Sequence, residues 1–160
     1  TYVAAFVGVL LAGTMSDRLA IKKSNKHRMY LQALGLVLGS IFLFLMGDVH
    51  NFASGEKLAL VMLYACFAGW GFFRAFFDAN TYSVLYDVTP DRLHASCGSA
   101  MGMTGFAVGA LAPVILGAIK QSMGTLTGTF PILGIVWVVC GVLMFIVAKA
   151  RYQKDHDKVH

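Results

Sequence analysis

The chain of 160 residues is 58% hydrophobic and only 13% charged, and it contains 17 glycines. Soluble domains are charged at about a quarter of their positions, so this composition excludes an ordinary soluble domain and indicates a membrane protein. The net charge of +5 does not indicate a nucleic-acid partner, because the placement of the basic residues along the chain accounts for it.

Uncharged apolar stretches recur along the chain and predict five helices. A helix needs about 20 mostly apolar residues to cross a bilayer, and repeated stretches of this kind exclude a single secretory signal peptide. The predicted spans are residues 1–13, 29–48, 58–86, 95–119 and 128–149. The first is too short to cross alone, and the chain starts with Thr1 inside it, so we expect a piece of a longer protein.

The basic residues lie almost entirely on one side of these spans. The linkers 14–28 and 87–94 and the end of the chain from Lys149 hold ten Lys or Arg, whereas the other side holds Lys57 and Lys120. Because basic loops stay in the cytoplasm, we expect both linkers and the tail 150–160 to be cytoplasmic. The membrane would be a plasma membrane or a bacterial inner membrane.

Small residues mark helix surfaces that are suited to close packing. The fourth span carries them on one face at steps of three and four: Gly98, Gly102, Gly105, Gly109 and Ala112. Such a stripe lets a neighbouring backbone approach closely in lipid, so leucine at Gly102 or Gly105 should impair folding or insertion. Gly35 and Gly39 repeat the pattern in the second span, and Pro113 should bend the fourth.

A pair of opposite charges lies inside the third span, within the stretch WGFFRAFFDAN at 70–80. Arg74 is sixteen residues after Leu58, so roughly 24 Å along the helix, and an unpaired arginine at such depth costs a few kcal/mol. Asp78 at i+4 can pair with it. At 100° per residue, one narrow sector holds Phe67, Trp70, Gly71, Arg74, Asp78, Thr81 and Leu85, whereas Phe72 and Phe76 point away.

Two interpretations of this pair compete. Arg74 and Asp78 could simply neutralise each other or cap a neighbouring helix. Buried pairs are weak evidence for stability, however, and intramembrane charges usually mark a functional site. We therefore predict a substrate site that contains Arg74, Asp78, Trp70 and Thr81 and faces a bundle interior or an aqueous cavity. Asn80 lies on another face and should only bond a neighbouring helix.

Enzyme chemistry has no support in the sequence. The three cysteines and five histidines are scattered, without the spacing of metal ligands or of a disulfide framework. There is no nucleophile motif and no phosphate-binding loop. We therefore expect neither an enzyme nor a metal site, and a membrane-embedded enzyme is the weakest of the functional hypotheses.

The first linker contains a motif that resembles one found in a known protein family. GTMSDRLAIKK, at 13–23, resembles the cytoplasmic motif of the major facilitator superfamily, in which Gly, three residues and then Asp-Arg or Asp-Lys precede a basic cluster. The matching residues are Gly13, Asp17, Arg18, Lys22 and Lys23. Ala20 stands where the family prefers glycine, and Ile21 where it prefers a basic residue. The resemblance implies a conformational gate formed by Gly13, Asp17 and Arg18, in which Gly13 permits a close helix contact and Asp17 holds a neighbouring helix N-terminus.

Two further stretches resemble the same family. Residues 87–113 are similar to its linker from the tenth to the eleventh helix, where Pro, Arg and Ala precede a glycine-striped span, although His94 replaces a common arginine. FFRAFFDANTYSVLYDV, at 72–88, is similar to the tenth helix of the anion:cation symporter branch, whose members carry organic acids and sugar acids. The resemblance implies part of the C-terminal six-helix bundle of a twelve-helix transporter, from a partial eighth helix to the twelfth.

An alternative placement is the second to the sixth helix. In either placement the third span lines the central cavity, where substrates of this fold bind near the bilayer midplane. The implied function is secondary active transport of a small anionic organic solute by alternating access, coupled to a proton or to sodium and without another cofactor. The expected partners are the solute, the lipid bilayer and the N-terminal half of the same chain. A transport-inactive receptor or scaffold on the same fold is the competing hypothesis.

Overall fold

The computed structural model describes residues 2–22, 24–52, 55–123 and 128–152, and these form an all-helical bundle without strands. A 3₁₀ turn at Asp91–Leu93 precedes the fourth helix, and a π-helical turn at Ala148–Tyr152 continues the fifth. The five long helices are α1 Tyr2–Lys22, α2 Lys26–Phe52, α3 Glu56–Asp87, α4 His94–Met123 and α5 Thr129–Val147. The predicted all-α membrane bundle is confirmed.

The start of the chain differs from the prediction. We expected a short first span, 1–13, and a linker at 14–28, but α1 continues to Lys22 and α2 already begins at Lys26. The apolar sequence stops near Gly13, whereas helical hydrogen bonding continues, because adding residues to an existing helix costs little. With 21 residues, α1 is long enough to cross a membrane. The predicted boundaries of α3, α4 and α5 are close to those observed.

Helix α2 is at the centre of the packing. It lies against α3 and α5, and α1 packs mainly on α3 rather than on its neighbour in sequence. Helix α4 touches α3 and α5 at few points, and none of its described side chains is buried. Because α4 stands apart, cavities of about 830, 520 and 500 Å³ lie beside it.

Two glycines allow the helices of the packed part to approach closely. A Cβ placed on Gly8 would lie 2.5 Å from the carbonyl oxygen of Phe72, and one on Gly35 would lie 2.7 Å from that of Phe73. Both neighbours are backbone atoms that cannot rotate away. Glycine at these two positions is therefore required for α1 and α2 to pack this closely on α3. The interpretation of Gly35 as a packing residue is confirmed, and Gly39 likewise leaves room for the ring of Trp137.

Leucine at Gly35 is expected to destabilise the bundle by about 3 kcal/mol or more, because α2 and α3 must separate to admit it. The measurement is the equilibrium unfolding of the purified full-length protein in mixed micelles. Gly117→Leu is the matched control, since a Cβ at Gly117 of α4 would meet no atom within 4 Å. Equal stability of the two variants would contradict the close α2–α3 contact.

The glycine stripe of α4 is placed differently from the glycines of α2. A Cβ at Gly105 or Gly109 would meet no atom within 4 Å, and Gly98 makes room for the hydroxyl of Tyr86. No described helix therefore packs closely on the stripe at Gly105 and Gly109, and packing of the stripe against another helix stays a prediction. Pro113 lies inside α4, which runs unbroken to Met123.

All five helices are long and apolar enough to cross a membrane. Large apolar side chains are exposed along α1, α4 and α5, as a surface in contact with lipid requires. Charged residues collect at the end of the bundle where α1 ends and α2 begins, which we call the basic end: Lys22, Lys26, Arg28, Arg92, Lys149 and Arg151. The basic end coincides with the side predicted to be cytoplasmic.

Candidate functional site

Helix α3 has two faces of opposite character. Phe73 and Phe76 pack towards α2, where the ring of Phe73 stacks on that of Phe42 at 5.7 Å and Phe76 lies against Gly35. The opposite face carries Arg74 and Asp78. Phe73 and Phe76 are therefore separated from the charged pair, whereas Phe77 lines the same cavity as Arg74 and Asp78.

Arg74 and Asp78 form an ion pair in which Nε of Arg74 lies 3.2 Å from Oδ2 of Asp78. Both side chains are about half exposed, at 50% and 48%. The guanidinium carbon of Arg74 lies 5.4 Å from the ring centre of Trp70, close enough for a cation–π contact. Because both side chains are half exposed and the closest approach of the pair uses Nε of Arg74, the guanidinium and carboxylate remain accessible to a ligand.

A cavity of about 830 Å³ opens over this pair. Its volume lies within the range of about 300 to 1,000 Å³ that is typical of small-molecule sites. Helices α2, α3, α4 and α5 all contribute to the wall. The lining residues are Leu36, Trp70, Arg74, Phe77, Asp78, Gly105, Val108, Gly109, Val136, Trp137, Cys140, Leu143 and Met144.

Thr81 lies one turn further along α3, in an adjoining cavity of about 520 Å³ that also contacts Asp78. Its hydroxyl donates to the carbonyl oxygen of Phe77 at 2.7 Å and accepts a bond from Nε2 of the buried Gln32 at 3.0 Å. The structure thus brings Trp70, Arg74 and Asp78 into one cavity, while Thr81 is held by α2 beside it. Buried Asn80 donates to Phe76 O at 2.9 Å within its own helix, not to a neighbouring helix.

Several cavity residues are absent from the sequence-based site. Trp137 packs its ring 5.7 Å from that of Trp70, and Phe77, Val108 and Val136 complete the apolar wall. Periodicity along α3 could not identify residues on α4 and α5. The one available signal was that Trp137 is the second of only two tryptophans in the chain.

The basic end holds a second polar cluster, centred on Arg28 in the first turn of α2. Nη2 of Arg28 donates to Oδ1 of Asp17 at 3.2 Å, and Nη1 donates to Oδ1 of Asp87 at 3.4 Å. The hydroxyl of Tyr152 donates to the other oxygen of Asp87 at 2.7 Å. These contacts connect the ends of α1, α2 and α3 with the turn that follows α5.

The three predicted gating residues have different surroundings. Asp17 lies within α1 and reaches the N-terminus of α2 through Arg28, whereas we had placed it in a linker. A Cβ at Gly13 would meet no atom within 4 Å, so the described helices do not supply the expected close contact there. Arg18 has no partner among the described residues, and Lys23 of the motif lies outside them.

At the turn between α3 and α4, His94 is held by two neighbours. Its Nε2 lies 2.8 Å from the carbonyl oxygen of Thr89, which can only accept, so this nitrogen donates. Its ring stacks on that of Tyr86 at 4.6 Å. In the part of the chain that the structure describes, no three His, Cys, Asp or Glu side chains come together as a metal site would need.

Five membrane-length helices indicate an integral membrane protein, and a charged pair lies in a cavity between them. The family model described as Major Facilitator Superfamily matches residues 1–159, so the chain belongs to this superfamily of membrane transporters. Comparisons with curated proteins and with solved structures gave no match.

Proposed function

We propose that the chain forms part of a secondary active transporter that moves a small anionic organic solute, an organic acid or a sugar acid, by alternating access. The observation that carries this proposal is the half-exposed Arg74–Asp78 pair in the cavity between α3, α4 and α5. An ion pair at this depth is weak evidence for a role in stability, because apolar residues of similar volume often stabilise as well, and its half exposure leaves the pair accessible to a ligand.

Arg74 is the anion-binding residue in this proposal. Its Nη1 and Nη2 can donate two parallel hydrogen bonds to one carboxylate, a geometry that guanidinium provides and ammonium does not. Asp78 balances the charge of Arg74 or takes up a proton, because a bound anion beside the neutral pair would otherwise leave one uncompensated charge. The coupling ion is accordingly a proton or sodium, and no other cofactor is required.

We further propose the placement of the chain in the whole transporter. It corresponds to the eighth to twelfth helices, the C-terminal half, with the anion:cation symporter branch as its group. The basic end faces the cytoplasm of a plasma membrane or bacterial inner membrane, in accord with the excess of Lys and Arg there. The small-residue stripe of α4 then faces a helix of the other half, which packs on it at Gly98 and Gly102, whereas Gly105 and Gly109 line the cavity.

Asp17 is proposed to act on conformational exchange through Arg28. The two side chains join α1 to α2 at the basic end, about 20 Å from Arg74 along α3, so neither can touch a ligand bound at Arg74. The other residues of the motif, Gly13 and Arg18, belong to the same proposed gate.

Asp17→Asn is therefore expected to lower the transport rate severalfold while equilibrium substrate binding stays within about twofold. The amide keeps the size of the side chain but loses the charge that attracts Arg28. Uptake rates and binding isotherms of the same purified preparation supply the two readouts. A large loss of affinity in a folded variant would argue against a gate.

Uptake by the full-length protein in sealed vesicles tests the proposed function. Radiolabelled organic acids and sugar acids are offered with an imposed proton or sodium gradient, and accumulation above protein-free vesicles is expected. Binding of such anions without uptake under any gradient would favour a receptor on the same fold and contradict the transporter.

A further inference from the structure

We propose that the solute is an aromatic or otherwise apolar monocarboxylate rather than a sugar acid. This inference rests on the proposed function, because it assumes that Arg74 binds a carboxylate, and it selects between the two substrate classes named there. The cavity wall, and not the charged pair, distinguishes them.

The wall next to the pair is apolar and partly aromatic. Trp70 and Trp137 lie with their rings 5.7 Å apart, and Phe77, Val108, Val136 and Leu143 continue the surface. Among the described residues that line the cavity, only Arg74 and Asp78 are charged, and the thiol of Cys140 is a weak hydrogen-bonding group.

A sugar acid fits this wall poorly. Its several hydroxyl groups would leave water and find few donors or acceptors among the residues that line this cavity, and each unpaired hydroxyl costs free energy. An aromatic acid has no such groups. It would place its ring against the tryptophan pair, where offset or edge-to-face contacts are favourable, and its carboxylate on the Nη atoms of Arg74.

The position of Trp70 supports the same orientation of the ligand. The guanidinium carbon of Arg74 lies over the ring of Trp70, 5.4 Å from the ring centre, so the ring limits access from that side. A carboxylate must approach in the plane of the guanidinium, at the edge that carries Nη1 and Nη2. The body of the ligand then extends towards α4 and α5, where the wall is apolar.

Calorimetric binding to the purified full-length protein tests this inference with three probes: phenylacetate, gluconate and phenylacetamide. We expect phenylacetate to bind at least tenfold more tightly than gluconate, which has the charge without the ring, and than phenylacetamide, which has the ring without the charge. Equal or tighter binding of gluconate would overturn the substrate class but leave an anion transporter. Phenylacetamide binding as tightly as phenylacetate, or no binding of any probe, would overturn the carboxylate site itself.

A substitution in the wall gives an independent readout. Val108→Ser introduces a hydroxyl at an exposed cavity position, and we expect it to weaken phenylacetate binding at least threefold without weakening gluconate. Val114→Ser is the matched control, because Val114 is similarly exposed on α4 and is not among the residues lining the cavity. If Val108→Ser and Val114→Ser lost the same affinity for phenylacetate, the assignment of the apolar wall would be wrong. It would also be wrong if Val108→Ser lost the same affinity for gluconate as for phenylacetate.

Discussion

Arg74→Lys is expected to reduce uptake by the full-length transporter roughly 10- to 100-fold. Lysine keeps the charge and can still pair with Asp78, but all its N–H donors are on one nitrogen, so it cannot offer two parallel bonds from separate nitrogens. A charge-assisted hydrogen bond contributes about 1.5–3 kcal/mol, and about 1.4 kcal/mol corresponds to a factor of ten. The measurement is the initial uptake rate at substrate concentrations well below KM, with the amount of inserted protein determined in parallel.

Arg92→Lys is the matched control for this experiment. Arg92 is exposed in the 3₁₀ turn at the basic end and has no partner among the described residues, so its replacement should leave uptake unchanged. Uptake of Arg74→Lys within twofold of the unmodified protein would show that positive charge alone suffices. The two-bond recognition of a carboxylate would then be wrong.

Arg28→Gln is expected to destabilise the protein by roughly 2 to 4 kcal/mol. Arg28 and Asp87 are only 20% and 14% exposed, and removal of the guanidinium leaves the Asp87 carboxylate poorly solvated beside the hydroxyl of Tyr152. Breaking a buried pair by removing one partner is costly because the remaining charge is uncompensated. Equilibrium unfolding in mixed micelles measures the difference.

The control for this stability prediction is Arg92→Gln, which makes the same change of charge at the same end of the bundle. Its side chain is exposed, so we expect a change within about 0.5 kcal/mol. If Arg28→Gln were as stable as this control, the contacts of Arg28 with Asp17 and Asp87 would contribute nothing to the fold.

The sequence was sufficient to predict the helical class and the polar face of α3. Both follow from local rules, since hydropathy identifies spans and 3.6 residues per turn places Trp70, Arg74 and Asp78 on one side. The end of α1 could not be predicted in this way, because hydropathy marks where lipid contact stops and not where helical hydrogen bonds stop. The result was a predicted linker, 14–28, that is largely helix.

Contacts between distant parts of the chain account for the remaining differences. Arg28 and Asp87 are 59 residues apart in sequence, and Tyr152 is 65 residues from Asp87. No periodicity relates them, because their meeting depends on α3 and α5 both packing on α2. Arg28 was therefore interpreted only as one of the basic residues that indicate the cytoplasmic side of the membrane. Trp137 was missed for the same reason, since its partner Trp70 lies on another helix.

The double variant Arg74→Leu/Asp78→Leu tests the central claim most directly. Removing both charges together leaves no uncompensated charge, so the variant should insert and fold as a monodisperse protein even though its site is gone. We expect uptake to fall to the level of protein-free vesicles while the protein remains folded. Sustained uptake by this variant would show that the pair is only structural and would contradict the assignment of the substrate site.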